Sequence, residues 1–138
     1  MNNTPPVVAQ GYVLTTANVG STLQLLAFDA AGVDGCSGVP KVCAPLWRGA
    51  AGGAITDPQG QEVVVAGDVA YVSQRVASSP SRLLAFDARG ITGCIGTPKT
   101  CTPLFSSDDA IWGHAVPVGR HLYVPTTPGT LVAYTPSV

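Results

Sequence analysis

Residues Leu25 to Trp47 read LLAFDAAGVDGCSGVPKVCAPLW, and residues Leu83 to Phe105 read LLAFDARGITGCIGTPKTCTPLF. Of the 23 aligned positions 15 are identical, without a gap, at an offset of 58 residues. A third, shorter copy, Leu131 to Thr135, reads LVAYT. A second echo lies upstream of each copy. Gly67-Asp68-Val69-Ala70-Tyr71-Val72 matches Gly119-Arg120-His121-Leu122-Tyr123-Val124, and Gly11-Tyr12-Val13-Leu14 is a shorter version. Self-similarity of this kind means one supersecondary unit built several times over, each unit burying its apolar faces against its neighbours.

Each unit reads as an apolar strand, a Gly turn, a Tyr-Val strand, a loop, a Leu-x-Ala-Phe/Tyr strand, a long loop and a Pro-Leu-aromatic strand. Val63-Val64-Val65 and Val69 to Val72 flank Ala66-Gly67-Asp68, a hairpin signal with Gly free to take a positive φ. Pro128-Gly129 marks a second hairpin. Pro and Gly interrupt every window long enough for a helix. The composition agrees, with 46% hydrophobic residues, 16 Gly and 12 Pro among 138 residues.

The expected fold is all-β, with β-propeller blades of four antiparallel strands, a little over two blades long, forming an incomplete ring. Residues 1–47 make a first blade with an incomplete N-terminal part, 48–105 a second, and 106–138 a partial third. The offset of 58 exceeds the usual propeller repeat of about 40–50 residues. The excess falls in the cysteine-bearing loop and in Gly49 to Gln61.

Charge excludes some functions. The net charge is −1 and the seven basic residues are scattered, so the clustered basic face of a nucleic-acid binder is missing. No stretch reaches the length of an apolar transmembrane helix. Met1 to Pro6 lack a basic n-region and an apolar h-region, so export would rest on a segment outside this sequence.

Cys36 and Cys43 bracket six residues, and Cys94 and Cys101 bracket the matching six. The pairs repeat with the unit and read as two local disulfides, Cys36–Cys43 and Cys94–Cys101, which implies an oxidising compartment. A zinc site and reduced thiols are the alternatives; zinc ligand pairs are usually more closely spaced.

The densest group of reactive side chains is Asp108-Asp109-Ala110-Ile111-Trp112-Gly113-His114, which leads into the first strand of a unit. Asp108, Asp109 and His114 have the chemistry of metal ligands or an acid/base set, with Trp112 beside them at a channel mouth. The plainer reading is a turn capped by Asp, followed by a strand with Trp112 packed. Phosphate-binding Gly-rich loops and a Ser nucleophile elbow are absent. No residue set is read as catalytic, cofactor-binding or metal-binding.

Ala27-Phe28-Asp29-Ala30-Ala31-Gly32 followed by Trp47, and Ala85-Phe86-Asp87-Ala88-Arg89-Gly90 followed by Phe105, resemble the pyrroloquinoline-quinone-like propeller repeats. The resemblance implies that Asp29, Asp87, Gly32 and Gly90 shape a turn, and that Trp47 docks on the neighbouring blade. Phe105 stands where Trp is expected, keeping the packing but not the indole N–H. Thr135 stands where Asp is expected, as in a truncated third unit. Such a fold serves many functions. The expected one is a non-catalytic binding or scaffold module, extracytoplasmic, that takes a protein or glycan ligand and is completed by the remaining blades of a longer chain or by self-association. The alternatives are a fragment of a quinone-dependent dehydrogenase, or a cell-envelope assembly scaffold. No Cys-Cys dipeptide of the kind those dehydrogenases carry occurs.

Overall fold

A computed structural model describes residues 5–54, 62–76, 79–107, 111, 114–127 and 129–135. The chain is all-β, and among the described residues no helix is long and apolar enough to cross a membrane. The first unit contains β1 (Val7–Ala9), β2 (Tyr12–Val19), β3 (Thr22–Asp29), the short pair β4 (Cys36–Ser37) and β5 (Val42–Cys43), and β6 (Trp47–Ala54). The second contains β7 (Val63–Ala66), β8 (Val69–Val76), β9 (Ser79–Asp87), the short pair β10 (Cys94–Ile95) and β11 (Lys99–Cys101), and β12 (Phe105–Ser107). The third contains β13 (Val116–Val118), β14 (His121–Thr126) and β15 (Thr130–Tyr134).

The long strands of each unit pair as an antiparallel meander, in the orders β1-β2-β3-β6, β7-β8-β9-β12 and β13-β14-β15. The Gly turns read from the sequence join them, with Gly11, Gly67 and Gly119 all at positive φ. Two features were not visible in the sequence. The strand opened by Trp47 runs to Ala54, so part of the excess length in Gly49 to Gln61 is strand. The hairpin β10–β11 leaves its own unit and joins the first sheet, β11 running parallel to β6 with Lys99 opposite Trp47 and Cys101 opposite Gly49. The matching hairpin β4–β5 forms a two-stranded sheet of its own.

The second sheet is buried on both faces, which is why Val63 to Ala66 is a continuous apolar run and not an alternating one. One face places Val63, Ala70, Val72, Leu84 and Phe86 against Leu14, Leu23, Leu25 and Trp47 of the first sheet. The other places Val64, Tyr71, Leu83 and Ala85 against Leu122 and Val124 of the third.

Two aromatic-on-glycine contacts set the distance between the first two sheets. Trp47, 1% exposed, lies on Gly90, where an added Cβ would come within 2.5 Å of the indole. Phe86 lies on Gly49, where a Cβ would come within 2.8 Å of the ring. At the next junction both partners change together. Ser107 holds the place of Gly49 and Tyr134 that of Phe86, and their hydroxyls form a 2.9 Å hydrogen bond. Phe105, in the place of Trp47, stacks on Tyr134 with ring centroids 5.7 Å apart.

Gly32 and Gly90 share a φ of about +65°, but only Gly90 has the indole above it. Gly32→Ala is expected to cost about 1 kcal/mol, the ordinary left-handed penalty. Gly90→Ala should cost about 2–4 kcal/mol, because Trp47 must also move. Trp47→Ala should cost about 3–5 kcal/mol. Trp47→Phe should cost much less, since the buried Nε1 of Trp47 makes no hydrogen bond that a phenyl ring would forfeit. Urea denaturation of the four variants checks the order.

Candidate functional site

The two cysteine loops are the most elaborately fastened parts of the surface. Each begins where a strand ends in Asp. Asp29 accepts hydrogen bonds from the backbone N–H groups of Ala31, Val33 and Asp34 at 2.8–3.1 Å. Asp87 accepts the equivalent bonds from Arg89 and Thr92. These are Asx-type turns in which a carboxylate replaces strand pairing as the acceptor. From the far side of each loop a lysine reaches back, Lys41 Nζ donating to the carbonyl of Gly32 at 2.7 Å and Lys99 Nζ to that of Gly90 at 3.0 Å. Both lysines are identical between the copies, yet the spacing of the sequence gave no hint of this role.

Both expected disulfides are formed. Cys36 and Cys43 sit directly opposite in β4 and β5, with Cα atoms 4.0 Å apart, and Cys94 and Cys101 do the same at 3.9 Å. In the loop-entropy model each short loop restricts the unfolded chain by roughly 2–2.5 kcal/mol. The environments differ. Cys101 is fully buried in the core shared with Trp47 and Phe86, because its hairpin is paired to β6. Cys43 is half-buried.

The two aspartates also differ. Asp87 has no exposed surface, whereas Asp29 is reached by solvent. The second loop lies against the first sheet, with Trp47 on Gly90 and β11 paired to β6, and one substitution adds to the difference. Arg89 stands where the first copy has Ala31, and its guanidinium folds over Asp87 with Nε–Oδ1 at 3.0 Å and Nη2–Oδ2 at 3.1 Å. Burial pushes the Asp87 carboxyl up, but the Arg89 side chain and the N–H groups of Thr92 and Arg89 together pull it down to about 2. The Asp29 carboxyl is lowered by the Val33, Asp34 and Ala31 N–H groups. Carboxylates held ionised in this way are fasteners, not general acids at neutral pH.

Of the Asp108 to His114 group, Asp108, Asp109 and Trp112 lie outside the described residues. His114 is exposed and its Nδ1 lies 3.0 Å from Oε2 of Glu62, the residue before β7. Among the described residues no group of three or more His, Cys, Asp or Glu is placed to hold a metal ion. His121, beside the third Gly turn, bonds Thr135 Oγ1 at 2.7 Å.

The loops also carry apolar side chains into solvent. Val33, Val39 and Val42 are exposed on the first, and Ile91 and Ile95 on the second. Val39, Val42 and Ile95 lie inside the disulfide-closed segments, and Val33 and Ile91 shortly before them. Nothing in the loop sequence alone separated these from core positions.

Asp87 lowers its carboxyl from an ordinary 3.8 to about 2 on folding, so its stabilisation is fully present above about pH 4 and lost as the pH falls through about 2. That amounts to about 2 kcal/mol. Asp87→Asn should flatten this part of the pH–stability curve, measured by urea unfolding between pH 2 and 6, whereas Asp29→Asn should change it less. The paired replacement C94A/C101A should lower stability more than C36A/C43A, since only the former loosens a hairpin clamped to β6.

No family model matches the sequence, and neither a curated protein nor a solved structure matches it.

Proposed function

We propose that the chain is a run of β-propeller blades, acting outside the cytoplasm as a non-catalytic module that binds a protein or glycan through its disulfide-closed loops. The blade reading is supported by three stacked meanders of one pattern, each contributing a face to its neighbour's core. Two disulfides are compatible with an extracytoplasmic setting.

The observation that carries the binding role is the exposure of Val39, Val42, Ile91 and Ile95 on loops that are already ordered. An aliphatic side chain left in water gains when a partner covers it, by about 25 cal/mol per Å² of apolar area. A loop fixed by a disulfide, an Asx turn and a lysine bridge loses little further entropy on binding. A flexible loop with the same residues would lose more.

The test is selection of a displayed peptide library on the protein, followed by affinity measurement against V39S/V42S/I91S/I95S. Selected peptides should lose about tenfold or more in affinity for the variant, equivalent to roughly 1.4 kcal/mol. Peptides that bind both proteins equally would place recognition elsewhere. A saturable absorbance change on titration with pyrroloquinoline quinone and Ca²⁺ would instead favour a quinoprotein fragment.

A further inference from the structure

We propose that the chain associates head to tail with a second copy of itself, the outer face of the third sheet packing on the outer face of the first. The inference goes beyond the loop-binding role and does not depend on it; only closure of the pair into a ring rests on the propeller reading.

The two terminal faces are the two halves of a contact that the chain already makes twice. On the first sheet, Val8 is opposite Val13, Val13 opposite Phe28, and Thr15 opposite Leu26, so these five share the face directed away from the second sheet. In the second sheet the same positions are Val65, Ala70, Phe86, Val72 and Leu84, with the same pairings. There they are the face that packs on the first sheet. In the first sheet no sheet among the described residues lies in front of them, and Val8 is 70% exposed.

The opposite end supplies the complement. Val116 is opposite Tyr123, Tyr123 opposite Ala133, and Pro125 opposite Leu131. Their counterparts in the second sheet are Val64, Tyr71, Ala85, Ser73 and Leu83, paired in the same way. That face packs on the third sheet. On the third sheet it is open, with Val116 54% and Leu131 65% exposed. Each open face therefore matches, position for position, a face whose partner is known, and that partner is the type found at the chain's other end.

The turns at one edge fit the same step. Gln10 Nε2 donates to Asp68 Oδ1 at 2.9 Å, and a Cβ on Gly67 would touch the Arg120 side chain at 3.4 Å. Each Gly turn thus meets the following residue of the next unit's turn. One step further, Gly119 would meet Gly11 of a second copy, and neither has a side chain to obstruct it. Both have open space where a Cβ would lie. A contact between unlike faces either polymerises or closes. Two copies bring six stacked sheets, within the range of about four to eight blades that propellers close with, so the geometry points to a closed dimer.

The test is the solution mass of the oxidised full chain by light scattering, with V8E and L131K as variants at exposed positions that leave the fold intact by circular dichroism. The wild type should show twice the chain mass of 14.0 kDa. Each variant alone should fall to a single chain, and an equimolar mixture should return to the double mass, because one unmodified face of each kind remains. A folded wild-type monomer at high concentration overturns the proposal while leaving the loop-binding role intact. A dimer indifferent to both substitutions, or one that the mixture fails to restore, overturns the head-to-tail contact. Open-ended polymers overturn closure.

Discussion

Trp47 on Gly90 and Phe86 on Gly49 are reciprocal: Trp47 of the first sheet lies on a glycine in the turn after β9, and Phe86 of the second sheet lies on a glycine of β6. The distance between these sheets is set there, because a ring can approach a backbone this closely only where no Cβ intervenes. The rest of the junction depends on that distance. Leu14, Leu25, Val72 and Leu84 form one continuous core across it. The parallel pairing of β11 with β6 begins at Trp47 itself, opposite Lys99, so ring and hairpin fasten the same strand. At the following junction Ser107 and Tyr134 meet through hydroxyls, with the ring stacked on Phe105. A serine at the Gly49 position denies a ring the same approach, and a tyrosine turns the loss into a polar contact.

The hairpin pairing also explains why two nearly identical loops have different surroundings. Cys36–Cys43 and Cys94–Cys101 close the same turn over the same Asp and Lys fastenings. The second loop has a preceding sheet to join and buries Cys101, while the first has none among the described residues and leaves Val42 in solvent. A short closed hairpin cannot build a core, so its order comes from covalent and polar fastening, supplemented where an edge strand is present to accept it.

Much of this was legible in the sequence, for a physical reason. A repeat with 15 identities in 23 positions reports equivalence directly, so the strands, the Gly turns and the local disulfides followed from lining up the copies. What the repeat does not report is where a unit's parts go in space. Lys99 to Cys101 is three residues long, too short to show alternation, and its partner β6 lies in the preceding unit. Gly49 carried no strand signal of its own, because a glycine in a strand is recognisable only once the ring above it is known. The guanidinium over Asp87 comes from Arg89, one of the non-identical positions within the repeat. Of the channel-mouth group, only His114 can be placed by its contacts, and Glu62, its partner, is distant in sequence.

The terminal faces keep the apolar character of the internal ones they copy while individual side chains change. Thr15 stands in place of Val72, and His121 in place of Val69. Both changes lower the apolar area a partner would cover, whereas Val13 in place of Ala70 and Pro125 in place of Ser73 raise it. Within the chain, neighbouring sheets are tethered, and their effective concentration is far above any that free molecules reach. A contact between free molecules therefore has to keep its apolar area, and Val13 and Pro125 hold it where Thr15 and His121 give it up. The outward faces, which must stay soluble before a partner arrives, hold Thr15 and His121 among aliphatics. That mixture fits surfaces that form and part, as contacts between separately folded bodies are more polar than the interior of one.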